Sequence, residues 1–150
     1  MKVVLQRVKE ASVTVQGKEV ARIGRGVCLF VGVEKGDTEK SAEYLAGKTA
    51  RLRIFPDEAD RMNLSLLDVS GGVLAVSQFT LAGSVKKGRR PSFDKAEDPA
   101  RAEQIFRTFV DEIRAFGLKV ESGIFGAVME VRLINDGPVT FVLEDRQATR

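Results

Sequence analysis

The sequence predicts a mixed α/β (α+β) fold, with layered, strongly curved β-sheets and two main helices packed on one side. Three observations predict this class. Apolar and β-branched runs typical of strands recur along the chain, only two stretches show the three-and-four spacing of an amphipathic helix, and 150 residues is about the length of one domain with a buried core. No repeat or low-complexity linker divides the chain, so we expect residues 1–150 to form a single domain.

The first 34 residues alternate in the manner of strands. Strand patterns occupy residues 2–16, 20–23 and 27–33, and the turn Gly17-Lys18 separates the first two. Short turns between successive strands favour antiparallel neighbours. We therefore expect a β meander at the start of the domain.

The periodicity changes to that of a helix after Gly36. Asp37 or Thr38 can cap the helix, which is predicted to run to about Arg53. Its apolar face consists of residues at three-and-four spacing, namely Ala42, Leu45, Ala46, Thr49 and Leu52.

The middle of the chain contains a loop and one buried strand. Proline and acidic residues indicate a loop at 54–61, followed by a short extended piece at 62–65. After Gly71-Gly72, residues 73–81 begin as an apolar strand and end in polar side chains.

A second helix is predicted to begin at Asp98-Pro99 and to end at Gly117. Its wide apolar stripe indicates packing against a sheet, and it consists of Ala102, Ile105, Phe106, Phe109, Val110, Ile113 and Phe116. A short strand at 118–121 follows.

The segment Asn135-Asp136-Gly137-Pro138-Val139-Thr140 reads as a turn between strands at 128–134 and 139–143. We expect these strands to form a hairpin. Pro138 has no N–H and Gly137 accepts almost any φ, so the dipeptide exposes carbonyl oxygens. Glu144 to Arg150 is predicted to be a polar tail.

The composition restricts the chemistry available to the chain. There is no histidine and a single cysteine, Cys28, which lies in an apolar strand pattern. A Ser-His-Asp triad is therefore excluded, a zinc site is very unfavourable, and neither a metal nor a cofactor is expected. No apolar run approaches the ~18 residues of a membrane span, and the N-terminus lacks a secretory pattern, so a cytoplasmic location is expected.

Positive charge is concentrated in one short segment, although the formal net charge is only +3. Four cations fall within five residues: Lys86, Lys87, Arg89 and Arg90. Such a cluster is typical of a phosphate contact, and equally of a loop kept solvated by its charge.

Polar residues end the strand pattern at Ser77-Gln78-Phe79-Thr80. Two hydroxyls and an amide at a strand end can orient an ester, position a water molecule or contribute to an oxyanion hole. The same residues also satisfy local turn hydrogen bonds in many proteins. A hydroxyl nucleophile here would lack an evident base.

Two motifs, Ser77-Gln78-Phe79-Thr80-Leu81 and Asn135-Asp136-Gly137-Pro138-Val139-Thr140, resemble the motif pair of the D-aminoacyl-tRNA deacylases, also called D-tyrosyl-tRNA deacylases. Further similar segments follow in order over essentially the whole length, such as 5–8, 11–15, 32–34, 88–93 and 125–129. The resemblance implies a homodimeric hydrolase that cleaves the ester between a D-amino acid and the 3′ end of tRNA, in proofreading of translation.

The resemblance also implies roles for individual residues. Gly137-Pro138 would form a cis peptide that enters the partner's active site and rejects L-aminoacyl-tRNA, while glycyl-tRNA mischarged on tRNA-Ala would not be excluded. Arg7 would support that loop. The other residues would form the catalytic motif (Ser77, Gln78, Phe79 and Thr80), bind substrate (Phe125, Met129 and Asn135) or contact tRNA (Lys86, Lys87, Arg89 and Arg90).

Two mechanisms are consistent with these residues. In the first, the 2′-hydroxyl of the terminal adenosine assists attack of water while Gln78 and Thr80 position the ester; in the second, Thr80 is a covalent nucleophile. Two other classes also remain: a non-catalytic RNA-binding β domain, and a small-molecule esterase with a Ser or Thr nucleophile.

Overall fold

The computed structural model describes residues 1–145, which form one six-stranded sheet, a two-stranded ribbon and the helices packed on them. The strands are β1 Lys2–Val15, β2 Lys18–Ile23, β3 Gly26–Gly32, β4 Phe55–Pro56, β5 Met62–Leu64, β6 Gly72–Ser77, β7 Val120–Ser122 and β8 Glu130–Glu144. The helices are α1 Glu39–Arg51, α2 Leu66–Val69 and α3 Pro99–Ala115, with a 3-10 helix at Phe79–Ala82. Within residues 1–145, none of the helices has the length and apolar character needed to cross a membrane. Most of the predicted polar tail, residues 146–150, lies outside the described residues, and Glu144 ends β8.

Strand β1 is the centre of the large sheet. On one edge it pairs with β8 along its length, from Lys2 opposite Glu144 to Thr14 opposite Glu130. On the other edge, its second half pairs with β2 and its first half with β3. Strands β6 and β7 extend the sheet beyond β3 in parallel. The predicted class, a curved sheet carrying two main helices, is confirmed.

The predicted meander is wrong, because β3 pairs with β1 and β2 does not lie between them. A strand of 14 residues is long enough to accept two shorter strands in succession along the same edge. Residues 24 and 25 therefore connect two segments of one edge.

The core has two parts, one on each face of the bent sheet. The larger cluster joins β1, β3 and β6 to helices α1 and α3, and its fully buried members include Leu5, Leu45, Ile105 and Phe109. The smaller cluster contains Val8, Val13 and Cys28, on the other face. Both main helices thus pack on one side, as the sequence predicts.

The local signals at the helix ends are confirmed. Thr38 and Ser41 form a capping box at α1, which ends two residues before the predicted Arg53. Asp98 accepts a hydrogen bond from the Ala100 amide at the start of α3, and Gly117 follows its end with φ +86°. The short helix α2, which no sequence pattern predicted, begins with a capping box between Ser65 and Asp68.

The predicted hairpin at Asn135–Thr140 is wrong. Residues 130–134 and 140–144 both pair with β1 and belong to the single strand β8. Asn135 lies opposite Val8 and Thr140 opposite Gln6, so residues 136–139 bulge out of the ladder opposite the single residue Arg7. A hairpin would have left one edge of β1 without hydrogen-bond partners, whereas a bulged strand pairs with both halves of it.

Candidate functional site

The Ser77–Thr80 motif lies at the carboxyl end of the parallel strands. Strand β6 ends at Ser77, the Gln78 amide donates to the Val31 carbonyl at 2.8 Å, and the chain then turns into the 3-10 helix. The turn passes close to Gly32, where a Cβ would lie 2.8 Å from the Cβ of Leu81. Glycine at this position therefore permits the turn that brings the motif to the sheet edge. Of the segment 73–81, the apolar part up to Ser77 belongs to β6, and Phe79–Ala82 form the 3-10 helix.

Gln78 and Thr80 form a polar pair. The Gln78 Nε2 donates to the Thr80 Oγ1 at 2.5 Å, and Thr80 is exposed. The hydroxyl proton of Thr80 thus remains available for a second acceptor. The amides of Phe79 and Thr80 open the 3-10 helix, so they have no acceptor inside it. The motif offers hydrogen-bond donors and carries no titratable group, which suits positioning of an ester carbonyl more than transfer of a proton.

An aromatic pair and a basic loop adjoin this motif. The rings of Phe79 and Phe93 meet edge to face, with centroids 5.1 Å apart, and 61% of Phe79 is exposed. Backbone hydrogen bonds between Ser84 and Ser92, 2.7 and 2.9 Å long, close the loop that carries the predicted cations. All four of them are exposed: Lys86, Lys87, Arg89 and Arg90. No role was predicted for Phe93, and its place three residues after Arg90, at the end of the segment 88–93, was the available signal.

Phe125 and Met129 lie in the segment between β7 and β8. The Gly123 amide donates to the Ala75 carbonyl at 3.1 Å, which places the start of this segment beside β6. Phe125 is half-buried, with its ring centroid 6.0 Å from that of Phe106, and Met129 packs against the smaller core cluster. Phe125 and Met129 are therefore both partly buried, and each packs against a different core cluster.

Residues 136–139 form the bulge loop, and Asn135 closes its base. The Asn135 Nδ2 donates to the carbonyls of Arg7 and Val139, each at 2.9 Å, and so replaces the ladder bonds that the bulge removes. Gln6 adds a bond from its Nε2 to the Thr140 Oγ1 at 3.2 Å. Val139 is buried, so the loop is anchored at the end where it rejoins the sheet.

Arg7 fills the space beneath the bulge loop. Its Nε donates to the Asp136 carbonyl at 3.1 Å and its Nη1 to the Ile54 carbonyl at 2.7 Å, while 9% of the residue is exposed. The Asp136 carboxylate lies 3.4 Å from the same Nε. The Gly137-Pro138 peptide bond is cis, Gly137 has φ +129°, and both residues are exposed.

Within one chain, the bulge loop and the Ser77–Thr80 motif lie apart. Strands β3 and β1 separate β6 from β8, which corresponds to three strand spacings, or roughly 14 Å. Along the strands, Ser77 is level with Val31 and Val3, about four residues from Arg7, which adds roughly 13 Å. Among residues 1–145, no hydrogen bond joins the motif to the loop. The structure thus brings Arg7 and Asn135 to the bulge loop, and Phe93 and the basic loop to the motif.

Comparison with known proteins gives consistent results over nearly the whole chain. Residues 4–144 match the family model described as D-Tyr-tRNA(Tyr) deacylase. A D-aminoacyl-tRNA deacylase of Geobacter metallireducens is 56% identical over 149 residues, 99% of each chain. One of Thermomicrobium roseum is 57% identical over 147 residues, 98% of this chain and 96% of that protein.

Solved structures agree with this fold. The c-Myc DNA Unwinding Element Binding Protein has a TM-score of 0.90 and 42% identity, covering 97% of this chain and 99% of that one. A structure described as a probable eukaryotic D-amino acid tRNA deacylase has a TM-score of 0.84 over 95% of this chain and 97% of its own, at 22% identity, and shows the fold alone.

Proposed function

The chain belongs to the D-Tyr-tRNA(Tyr) deacylase family, and from that premise we propose that it hydrolyses the ester of D-aminoacyl-tRNA, releasing the D-amino acid and free tRNA. The observation that carries the proposal is the extent of the match, since residues 4–144 include both the Ser77–Leu81 and the Asn135–Thr140 motifs. Relatives at 56–57% identity named D-aminoacyl-tRNA deacylase support the same hydrolase activity.

The ester is cleaved at the Ser77–Thr80 motif. Water adds to the ester carbonyl carbon, the bond to the ribose 3′ oxygen breaks, and that oxygen takes up a proton. Gln78, Thr80 and the amides of Phe79 and Thr80 hold the carbonyl and stabilise its developing charge. The 2′-hydroxyl of the terminal adenosine assists the attack. The absence of histidine from the chain and the non-titratable character of the motif support this assignment of the proton transfer to the substrate.

The bulge loop supplies chiral selection to a second copy of the chain. The exposed carbonyls of Gly137 and Pro138 accept hydrogen bonds from the α-amino group of a D-amino acid and crowd the exchanged substituent of an L-amino acid. Glycine has no such substituent and passes. The distance between loop and motif within one chain supports delivery across a homodimer interface. Exposed apolar side chains on β8 support that interface: Ile134, Phe141 and Val142.

One assay tests the activity and the selection together. D-tyrosyl-tRNA, L-tyrosyl-tRNA and glycyl-tRNA charged on tRNA-Ala are incubated with the protein, and ester loss is followed. We expect hydrolysis of the first and third and preservation of the second. Equal hydrolysis of the D and L esters would rule out the chiral filter. If none of the three esters is hydrolysed, the deacylase proposal is ruled out.

Two changes distinguish the catalytic readings. Thr80→Ala removes a nucleophile completely, so retention of most of the turnover contradicts covalent catalysis by Thr80. D-tyrosyl-tRNA ending in 2′-deoxyadenosine removes the assisting hydroxyl, and an unchanged rate with this substrate contradicts substrate assistance. Thr80→Ser, which keeps the hydroxyl, is the matched control for the first change.

DNA binding is a second candidate function. It is motivated by the relative named c-Myc DNA Unwinding Element Binding Protein, and the exposed basic loop at residues 86–90 favours it. Charge reversal of Lys86, Lys87, Arg89 and Arg90 tests both candidates. If the loop serves the deacylase, the variant loses affinity for tRNA more than for DNA of the same length. The opposite order favours DNA, and no change in either affinity means that the loop is only a solvated surface.

A further inference from the structure

A cleft of about 450 Å³ lies at the end of the parallel strands opposite to the Ser77–Thr80 motif, and no predicted site residue lines it. Its wall is formed by the end of β2, the turn before β6, the residue before β7 and the middle of β1. The lining residues are Lys9, Glu10, Arg22, Ile23, Gly24, Ser70, Gly72 and Lys119.

The cleft contains one arginine that is paired with carboxylates and two lysines that are not. Arg22 is bound by Glu19, through bonds of 2.8 and 2.9 Å, and Glu10 lies 4.0 Å from it. Lys9 and Lys119 are both exposed, and neither is within ion-pair distance of a carboxylate among residues 1–145. The cleft therefore presents two unpaired ammonium groups.

The backbone directs one of these groups into the cleft. Val8 pairs with Asn135 and Glu10 with Ile134, so Lys9 is an extra residue of β1 at a register shift. A β-bulge of this kind turns a side chain out of its regular direction. Ser70 lies beside it in the left-handed region with φ +50°, and its exposed hydroxyl makes no hydrogen bond among residues 1–145.

We propose that this cleft binds a backbone phosphate of the tRNA substrate, as a second contact remote from the ester. The inference rests on the proposed function. Strand β6 spans roughly 20 Å between the cleft and Ser77, and a nucleic acid duplex carries a charge every few ångströms along its axis. A tRNA whose 3′ end lies at the motif therefore has phosphates about as far away as Lys9 and Lys119. The Ser70 hydroxyl can donate a further hydrogen bond to such a phosphate.

The test compares K9E/K119E with K18E/K40E, which makes the same charge change at exposed lysines outside the cleft. Affinity for uncharged tRNA is measured against salt concentration. We expect K9E/K119E to bind roughly tenfold more weakly than the control at 0.1 M salt, and K9A/K119A to lower the slope of log affinity against log salt by about 0.9, the value for one phosphate contact. Equal tRNA affinity of the two charge-reversed variants overturns the proposal.

A minimal substrate separates this inference from the deacylase itself. D-tyrosyl-adenosine carries the ester but no tRNA body, so K9E/K119E should hydrolyse it at the wild-type rate while its KM for D-tyrosyl-tRNA rises and kcat stays unchanged. Loss of activity on the minimal substrate would mean damage to the ester site and would overturn the cleft as a phosphate site. If the wild type hydrolyses neither substrate, the deacylase proposal fails, and the affinity for uncharged tRNA still decides on the cleft.

Discussion

Asn135 illustrates how one side chain can replace missing backbone hydrogen bonds. Its amide donates to two carbonyls, one on β1 and one at the far end of the bulge loop. Without the Asn135 amide, both carbonyls would lose a hydrogen-bond donor at a half-buried position. An unsatisfied carbonyl there lowers the stability of the fold. Asn135, which is predicted to contact the substrate, thus also braces the loop.

Asn135→Ala is expected to destabilise the protein by about 2 kcal/mol, because two hydrogen bonds to backbone carbonyls are lost. Asn135→Asp should cost more, since a carboxylate would face the same two carbonyls. Urea unfolding measures both. Gln104→Ala, which removes an amide from the exposed face of α3, is the control and should change stability by less than about 0.5 kcal/mol. An Asn135→Ala protein as stable as this control would contradict the bracing role.

Cys28 is expected to be inert in the folded protein. Burial raises the pKa of its thiol to about 12, and the thiolate is the reactive form. At pH 8 an aromatic disulfide reagent should leave the native chain unmodified and should label one thiol per chain after unfolding in urea. Rapid labelling of the native chain, with free glutathione as the reference thiol, would show that the strand opens.

At the scale of elements, the contact between β3 and β6 depends on the absence of a side chain. A Cβ at Gly26 would overlap the carbonyl oxygen of Gly72 on the neighbouring strand. Two residues earlier, Gly24 has open space where a Cβ would be. Substituting alanine at each of these glycines therefore distinguishes the effect of a steric clash from the effect of reduced backbone freedom.

Gly26→Ala is expected to destabilise the protein by several kcal/mol, because β3 and β6 must move apart at the edge of the main core. Gly24→Ala should change the free energy of unfolding by less than about 1 kcal/mol. Chemical denaturation of the two variants side by side provides the measurement. Equal stabilities would contradict the close approach of these strands.

The sequence predicted those elements whose signals are local. The caps at Thr38 and Asp98 and the stripe of α3 act within a few residues, and both helices agree with prediction. The turn chemistry at Asn135–Thr140 was also read correctly as a loop, but its neighbours were paired with each other. Their true partner, β1, lies more than 110 residues earlier, and no local pattern encodes that pairing.

The candidate site shows the same division. Ser77–Thr80 was predicted at a strand end because the change from apolar to polar residues is visible in the chain. No role was predicted for Phe93, whose ring contacts that of Phe79, or for Lys9, which lies at a register shift of β1. Both features depend on the folded structure, and no local pattern in the chain marks them.

At the scale of the whole molecule, the proposed dimer can be tested by mixing two inactive variants. Gln78→Ala/Thr80→Ala removes the motif and keeps the loop, whereas Gly137→Ala disturbs the loop, because φ +129° disfavours a side chain, and keeps the motif. If the loop acts in the partner, each mixed dimer has one intact site. Random exchange should then restore about a quarter of the sites, seen as D-tyrosyl-tRNA hydrolysis.

Activity that stays absent after verified subunit exchange would contradict cross-subunit delivery. Mixing a tagged with an untagged wild-type chain, followed by co-purification on the tag, is the control for exchange itself.

The arrangement of β1 and β8 also has a consequence for the order of assembly during synthesis. The first strand made is the centre of the large sheet, and the strand that covers one of its edges is complete only when residue 144 has been made. Until then a 14-residue strand has an unpaired edge, which is a template for association with other chains. The pairing of the two ends of the chain also gives a high contact order, so folding should be slow for a protein of this size. During synthesis, the edge of β1 that β8 covers therefore stays unpaired until nearly the whole chain has been made, although β1 is the central strand of the finished sheet.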